Sequence, residues 1–188
     1  MKAKFAFFCV FLLCTAILFS SCGGPTLEEI RPIAEALITD SLELNEIFFG
    51  YGLPTVEGIT GTDYRYVDLE KSRYDTIDQL KEAARAVYTA DYCEGIFETL
   101  FVGITDSVGV ILPRFTEDDL GQLMQDRYIQ SILPGERTYS FDTMTIEKSG
   151  SKRVVIRIET ETNGEKDEDA VLTLRFDGEK WLLDTPTY

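Results

Sequence analysis

Apolar residues fall at helical spacing in the first half of the chain and alternate in the second. Leu27, Ile30, Ile33, Ala34, Leu37 and Ile38, continued by Leu42, Leu44, Ile47 and Phe48, predict a long helix ending near Gly50. Thr26 and Glu29 have capping-box spacing, whereas Pro32 removes a backbone donor; the helix either starts at Pro32 or kinks there. Thr76 with Gln79 predicts a second helix carrying Ile77, Leu80, Ala84, Val87 and Tyr88. Asp91 with Glu94 predicts a third, carrying Ile96, Phe97, Leu100 and Phe101, with Gly103 as its stop. Between the first two helices a stretch rich in glycine and tyrosine reads as an irregular loop with one extended piece over Tyr64 to Leu69.

From Val108 onward the period changes to two. Ile111 to Thr116 and Gln122 to Tyr128 flank a Glu-Asp-Asp-Leu-Gly turn, and Pro113 places the first of these strands at a sheet edge. Ser140 to Lys148, Val154 to Thr162, Ala170 to Phe176 and Lys180 to Asp184 follow, joined by Ser-Gly-Ser, an Asn-Gly start to a longer acidic loop, and Asp-Gly. Val154, Ile156 and Ile158 share one face, as do Ala170, Leu172, Leu174 and Phe176. Helices followed by a meander predict an α+β domain, with N-terminal helices packed on a curved antiparallel sheet. This order, and the closing hairpin VLTLRFDGEKWLLD in particular, resembles the cystatin-like cone of the nuclear transport factor 2 type. That architecture hosts enzymes, binding modules and inhibitors alike.

Ahead of the helices lies a different kind of segment. Two lysines within Met1 to Lys4, an apolar run from Phe5 to Phe19 and Ser20-Ser21 have the layout of an export signal, and the run is short of the ~20 residues a membrane span needs. Phe19-Ser20-Ser21-Cys22 resembles the lipobox of bacterial lipoproteins, with Phe19 where leucine is most usual. The resemblance implies removal of residues 1–21 and attachment of diacylglyceryl and acyl chains, palmitate among them, to Cys22. It implies a membrane-anchored protein of the bacterial cell envelope, facing away from the cytoplasm. Residues 22–25 then form the lipidated cysteine and a short tether, and residues 26–188 a single domain. Cys9 and Cys14 leave with the signal, so Cys93 has no disulfide partner if Cys22 is lipidated.

Charge and composition narrow the chemistry. The chain has 18 basic and 33 acidic residues; without Lys2 and Lys4 the balance is 16 − 33 = −17. Nucleic acid is an unsuitable partner; anionic lipid surfaces and wall polymers repel such a domain, which implies that the anchor rather than surface charge holds it at the membrane; and a basic protein surface suits it. There is no histidine, which removes Ser-His-Asp triads, Cys-His pairs and HExxH zinc sites, and no cofactor is expected. Cys93 could be a helix-start nucleophile or a packed small hydrophobe. The acidic runs 116–119 and 165–169 read as solvated hairpin tips, since the second lacks the ligand spacing and glycine of a calcium loop.

Tyrosine and arginine are the residues that anchor protein interfaces, and they gather around the first loop and the first hairpin. Tyr64, Tyr66, Arg114 and Arg127 are the candidate partner-binding residues; the alternative is that they dock the loop and balance nearby acids. The segment YRYVDLEKSRYDTIDQLKEAARAVYTADYCEGIFETLF, followed by RFTEDDLGQLMQDRY, resembles the exported IseA-type inhibitors of cell-wall DL-endopeptidases. That resemblance implies a non-enzymatic regulator occupying the cleft of a peptidoglycan hydrolase. Two other readings stand beside it: a small-ligand-binding protein or histidine-free enzyme using the mouth of the cone, and an assembly partner in an envelope complex.

Overall fold

A computed structural model describes residues 23–57, 63–105 and 109–188; the expected signal segment and Cys22 lie outside them. The fold is α+β, with three α-helices among the described residues preceding most of the strands, as the change of period predicts. Helix α1 (Leu27–Phe48) starts at Thr26, where both arms of the capping box form: Glu29 N–H donates to the Thr26 side chain, and Thr26 N–H donates to the Glu29 carboxylate at 2.8 Å. Pro32 therefore lies inside the helix. The donor it lacks would have served the carbonyl of Glu28, in the exposed first turn, where solvent can satisfy it.

Helix α2 (Ile77–Val87) is capped by Thr76, whose hydroxyl accepts from Gln79 N–H at 3.2 Å. Helix α3 (Ala90–Phe97) starts two residues earlier than Asp91 suggests. Thr89 is its cap and accepts from Tyr92 N–H at 3.3 Å. A π-helical turn over Glu98–Val102 continues it, and Gly103, at φ +82°, ends it.

The strands are β1 (Tyr64–Tyr66), β2 (Ile104–Thr105), β3 (Val110–Ile111), β4 (Phe115–Glu117), β5 (Leu123–Asp126), β6 (Arg137–Tyr139), β7 (Thr145–Ser149), β8 (Arg153–Ile158), β9 (Thr160–Thr162), β10 (Glu165–Lys166), β11 (Ala170–Phe176) and β12 (Trp181–Leu183). Among the described residues they form four antiparallel sheets: β1-β5-β4, β10-β9-β6, β12-β11-β8-β7 and β2-β3. The segment expected to be one strand over 140–148 is interrupted by a 3-10 turn at Phe141–Thr143, which sends β6 to β9 and β7 to β8. Asn163 and Gly164, at φ 54° and 78°, make a two-residue turn between β9 and β10, tighter than the long loop the sequence suggests.

The core lies between α1 and the largest sheet. Ile30, Ala34 and Ile38 form a completely buried stripe at four-residue spacing, as the helix pattern requires, and Val154, Ile156, Ile158, Leu174 and Leu183 are equally buried. Cys93 is buried among these core residues as a free thiol. Polar groups cross this interface too. Asn45 donates to the Thr187 hydroxyl at 2.7 Å, Ser41 shares a 2.7 Å bond with the same hydroxyl, and Tyr88 donates to Asn45 Oδ1 at 3.1 Å. Tyr139 donates to the Thr187 carbonyl at 2.6 Å, so the C-terminal residues are held against α1 by a satisfied buried network.

Candidate protein-binding face

The sheet β1-β5-β4 carries the residues on which an interface would be built. Register places Tyr64 opposite Asp126, and Tyr66 opposite Met124, which in turn faces Thr116; these side chains share one face. Phe115 and Leu123 are fully buried, and Phe115 lies on the other face with Gln125. Gln125 accepts from Leu53 N–H at 2.7 Å and donates to the Tyr51 carbonyl at 3.3 Å, fixing the chain that leaves α1.

On the tyrosine face, Tyr64 and Tyr66 are half-buried and flank buried Met124. Their hydroxyls are anchored: Tyr64 donates to the Pro113 carbonyl at 2.8 Å and Tyr66 to Asp118 Oδ2 at 3.1 Å. The hydrogen bond to Asp118 raises the pKa of Tyr66, and burial raises that of Tyr64. Asp118 in turn accepts from the N–H groups of Leu120 and Gln122 at 2.9 Å each, which hold its carboxyl below the usual range and shape the hairpin tip. Anchored aromatic rings lose little rotamer freedom on binding.

All four sequence candidates lie along this one sheet, but in different roles. Arg127 follows β5, with its N–H donating to Asp63 and its guanidinium 5.8 Å from the ring centre of Tyr128. Arg114 immediately precedes β4, and its carbonyl accepts from Asp126 N–H at 2.9 Å. Its guanidinium turns away to the end of α1, where it donates to the carbonyls of Ile47 and Gly50; burial lowers its pKa. The half-buried pair Tyr64 and Tyr66, with Arg127, thus forms the reachable part of the set, and Arg114 holds the sheet to the helix.

Sequence reading does not single out the apolar rim. Leu120 at the hairpin tip is 91% exposed, Tyr128 is 67% exposed and Leu112 is 47% exposed, so the sheet has solvated apolar groups at both ends. Leu120, directly after the acidic run 116–119, was the available signal, since a solvated turn has no need of a leucine.

Other features are less suited to chemistry. The Cys93 thiol is pushed up to about 11 by burial and sits 3.9 Å from the Tyr88 carbonyl, so at neutral pH it is protonated and packed. A cleft of about 400 Å³ between the α2–α3 junction and β11–β12 is lined by Arg85, Thr89, Asp91, Arg175, Phe176 and Leu182. Arg175 is paired with Asp184 at 2.6 Å, and Asp184 also accepts from Thr89, which commits these groups to one another. Within 165–169, Asp167 accepts from Thr162 and Asp169 lies 3.8 Å from Arg157. Among the described residues no group of three or more Cys, Asp or Glu is placed to hold a metal ion, and no helix is long and apolar enough to cross a membrane. No known protein-family model matches the chain. No curated protein matches it at a significant level.

Proposed function

We propose that the chain is a lipid-anchored, extracytoplasmic protein-binding module, and that it acts as a non-enzymatic inhibitor or regulator of a cell-wall endopeptidase. The observation that carries this reading is the anchored tyrosine face of β1-β5-β4, bounded by exposed Leu112, Leu120 and Tyr128 and by Arg127. Fixed aromatic rings on the same sheet face as a buried methionine, with an arginine at the edge, are the components from which interface hot spots are made. A mature net charge of −17, from 16 basic and 33 acidic residues, favours a partner with a basic substrate groove. The small-ligand reading is weaker because, in the cleft described above, Arg175 and Thr89 are both taken up by Asp184.

Site-specific photocrosslinking in the native envelope tests the proposal. A crosslinking residue at Leu120 or Tyr128 should capture a wall endopeptidase, while one at exposed Asp142 should not. Capture from Asp142 alone, or of no endopeptidase from any of the three positions, contradicts it.

A further inference from the structure

The β7–β8 turn adjoins the start of the domain. Ser149 donates to the Pro25 carbonyl at 2.8 Å, Pro25 is buried, and a Cβ on Gly24 would collide with the backbone of Gly150 and the side chain of Ser149. The expected tether is therefore docked onto the domain from Gly24 onward. Cys22 is two peptide units before Gly24, so its Cα lies within about 7 Å of that of Gly24. Any lipid on Cys22 is thereby attached no more than two peptide units from a residue docked on this turn.

The turn is also locally basic in an acidic protein. Residues 148–153 read Lys-Ser-Gly-Ser-Lys-Arg, with three cations and no acid. Lys148, Lys152 and Arg153 are exposed, and none enters an ion pair among the described residues. The neighbouring β11–β12 turn is tied to this one by Phe176 N–H donating to the Lys152 carbonyl at 3.0 Å, and carries Asp177, Glu179 and Lys180. Lys180 donates to the carbonyls of Arg85 and Ala86, closing the end of α2. Strand β8 runs from the basic turn toward residues 159–169, which hold six acids and one lysine. Nine residues, most of them in β8 and β9, separate Arg153 from Asn163, a span of up to about 30 Å.

We infer that the β7–β8 turn is the membrane-facing surface of the domain, with Lys148, Lys152 and Arg153 against anionic phospholipid headgroups and the acidic 159–169 end directed away. The inference rests on the lipid-anchored reading of Cys22. The net negative charge does not oppose it, because a lipid surface acts within a Debye length of roughly 8–10 Å and so reads the nearest charges rather than the sum. The anchor fixes the height of the domain, and the cations fix which end faces down.

Mass spectrometry of the membrane-extracted chain reads the lipid on Cys22, and so tests the anchor separately. Orientation is then read on the processed chain coupled through Cys22 to a maleimide phospholipid, which imposes the attachment whatever the cell does. A spin-labelled residue replaces Ser151 or, in a second preparation, Asn163, and paramagnetic relaxation reports proximity to headgroups. The label at 151 should sense the headgroups, more strongly in vesicles rich in phosphatidylglycerol than in phosphatidylcholine, and the label at 163 should not. Lys148→Glu, Lys152→Glu and Arg153→Glu together should abolish the dependence on anionic lipid. Without the covalent anchor, each neutralised cation should weaken partitioning onto anionic vesicles roughly fivefold. Equal relaxation at 151 and 163, or indifference to lipid charge, overturns the orientation even if Cys22 is lipidated.

Discussion

Arg114 Nε lies 3.3 Å from the carbonyl oxygen of Ile47, so a residue of the hairpin arm closes the end of the first helix. The last turn of α1 contains no basic residue of its own, and Arg114 supplies the cation that the negative end of the helix dipole favours. Arg114→Ala should destabilise the domain by about 1–3 kcal/mol, because two carbonyls lose their charged donor. Arg114→Lys should recover little, since an ammonium cannot span both acceptors as a guanidinium does. Chemical denaturation measures this, and an unchanged midpoint for Arg114→Ala contradicts the role.

Tyr66 separates folding from binding. Tyr66→Phe loses the bond to Asp118 but keeps the ring opposite Met124, and should change stability by less than about 1 kcal/mol. Tyr66→Ala removes the ring and should weaken partner binding at least tenfold, the scale of an interface anchor. Titration calorimetry with the partner, alongside a melting curve for each variant, distinguishes the two; equal affinity for Tyr66→Ala and wild type excludes this face.

The buried hydroxyl of Thr187 predicts a stability effect far from any surface. Thr187→Val is nearly isosteric yet leaves Asn45 Nδ2 and Ser41 without the partner each reaches at 2.7 Å. A loss of about 1–3 kcal/mol is expected. Tyr139, which uses the Thr187 backbone carbonyl, should be unaffected, and hydrogen exchange over β6 should stay protected. A neutral denaturation result means the network contributes nothing to stability.

Alkaline unfolding should begin near the ordinary tyrosine pKa. Burial pushes Tyr88 up to about 12, and Tyr139 likewise to about 12. An unfolded tyrosine ionises near 10, so below that pH both states hold the proton and stability is intact. Between about pH 10 and 12 the unfolded chain releases protons that the folded chain keeps, and stability falls as pH rises. Tyr88 alone should account for roughly 2–3 kcal/mol across that window. Tyr88→Phe should flatten the slope of denaturation midpoint against pH; an identical slope contradicts the assignment.

Local features were legible in the sequence, and long-range ones were not. Thr76 with Gln79 announced the start of α2 because capping is settled within a few residues, whereas at α1 the same signal in Thr26 and Glu29 stood against Pro32 and left the start open. The misplaced start of α3 arose because Thr89 and Asp91 are both good caps, and only the packing of Thr89 against Asp184 selects between them. Tyr64 to Tyr66 looked like an isolated extended piece, since nothing nearby reveals that its partner is β5. Arg114 read as an interface candidate for the same reason: its acceptors are 64 and 67 residues away. Ser41 and Asn45 did carry a signal. They fall on the buried stripe of α1, where polar side chains require partners, but the partner, Thr187, lies 146 and 142 residues further on.

The tyrosine face is proposed to grip a wall endopeptidase. The most direct measurement is the rate at which an endopeptidase from the same organism cleaves peptidoglycan, titrated with the processed chain and with a Tyr66→Ala/Arg127→Ala variant shown to keep its melting temperature. The rate should fall in proportion to added wild-type protein, and the double variant should need at least a hundredfold more for the same effect, on the basis of two anchors at about tenfold each. Inhibition that is unaltered by the double variant, or undiminished cleavage by every such endopeptidase in the presence of excess wild-type protein, contradicts the central claim.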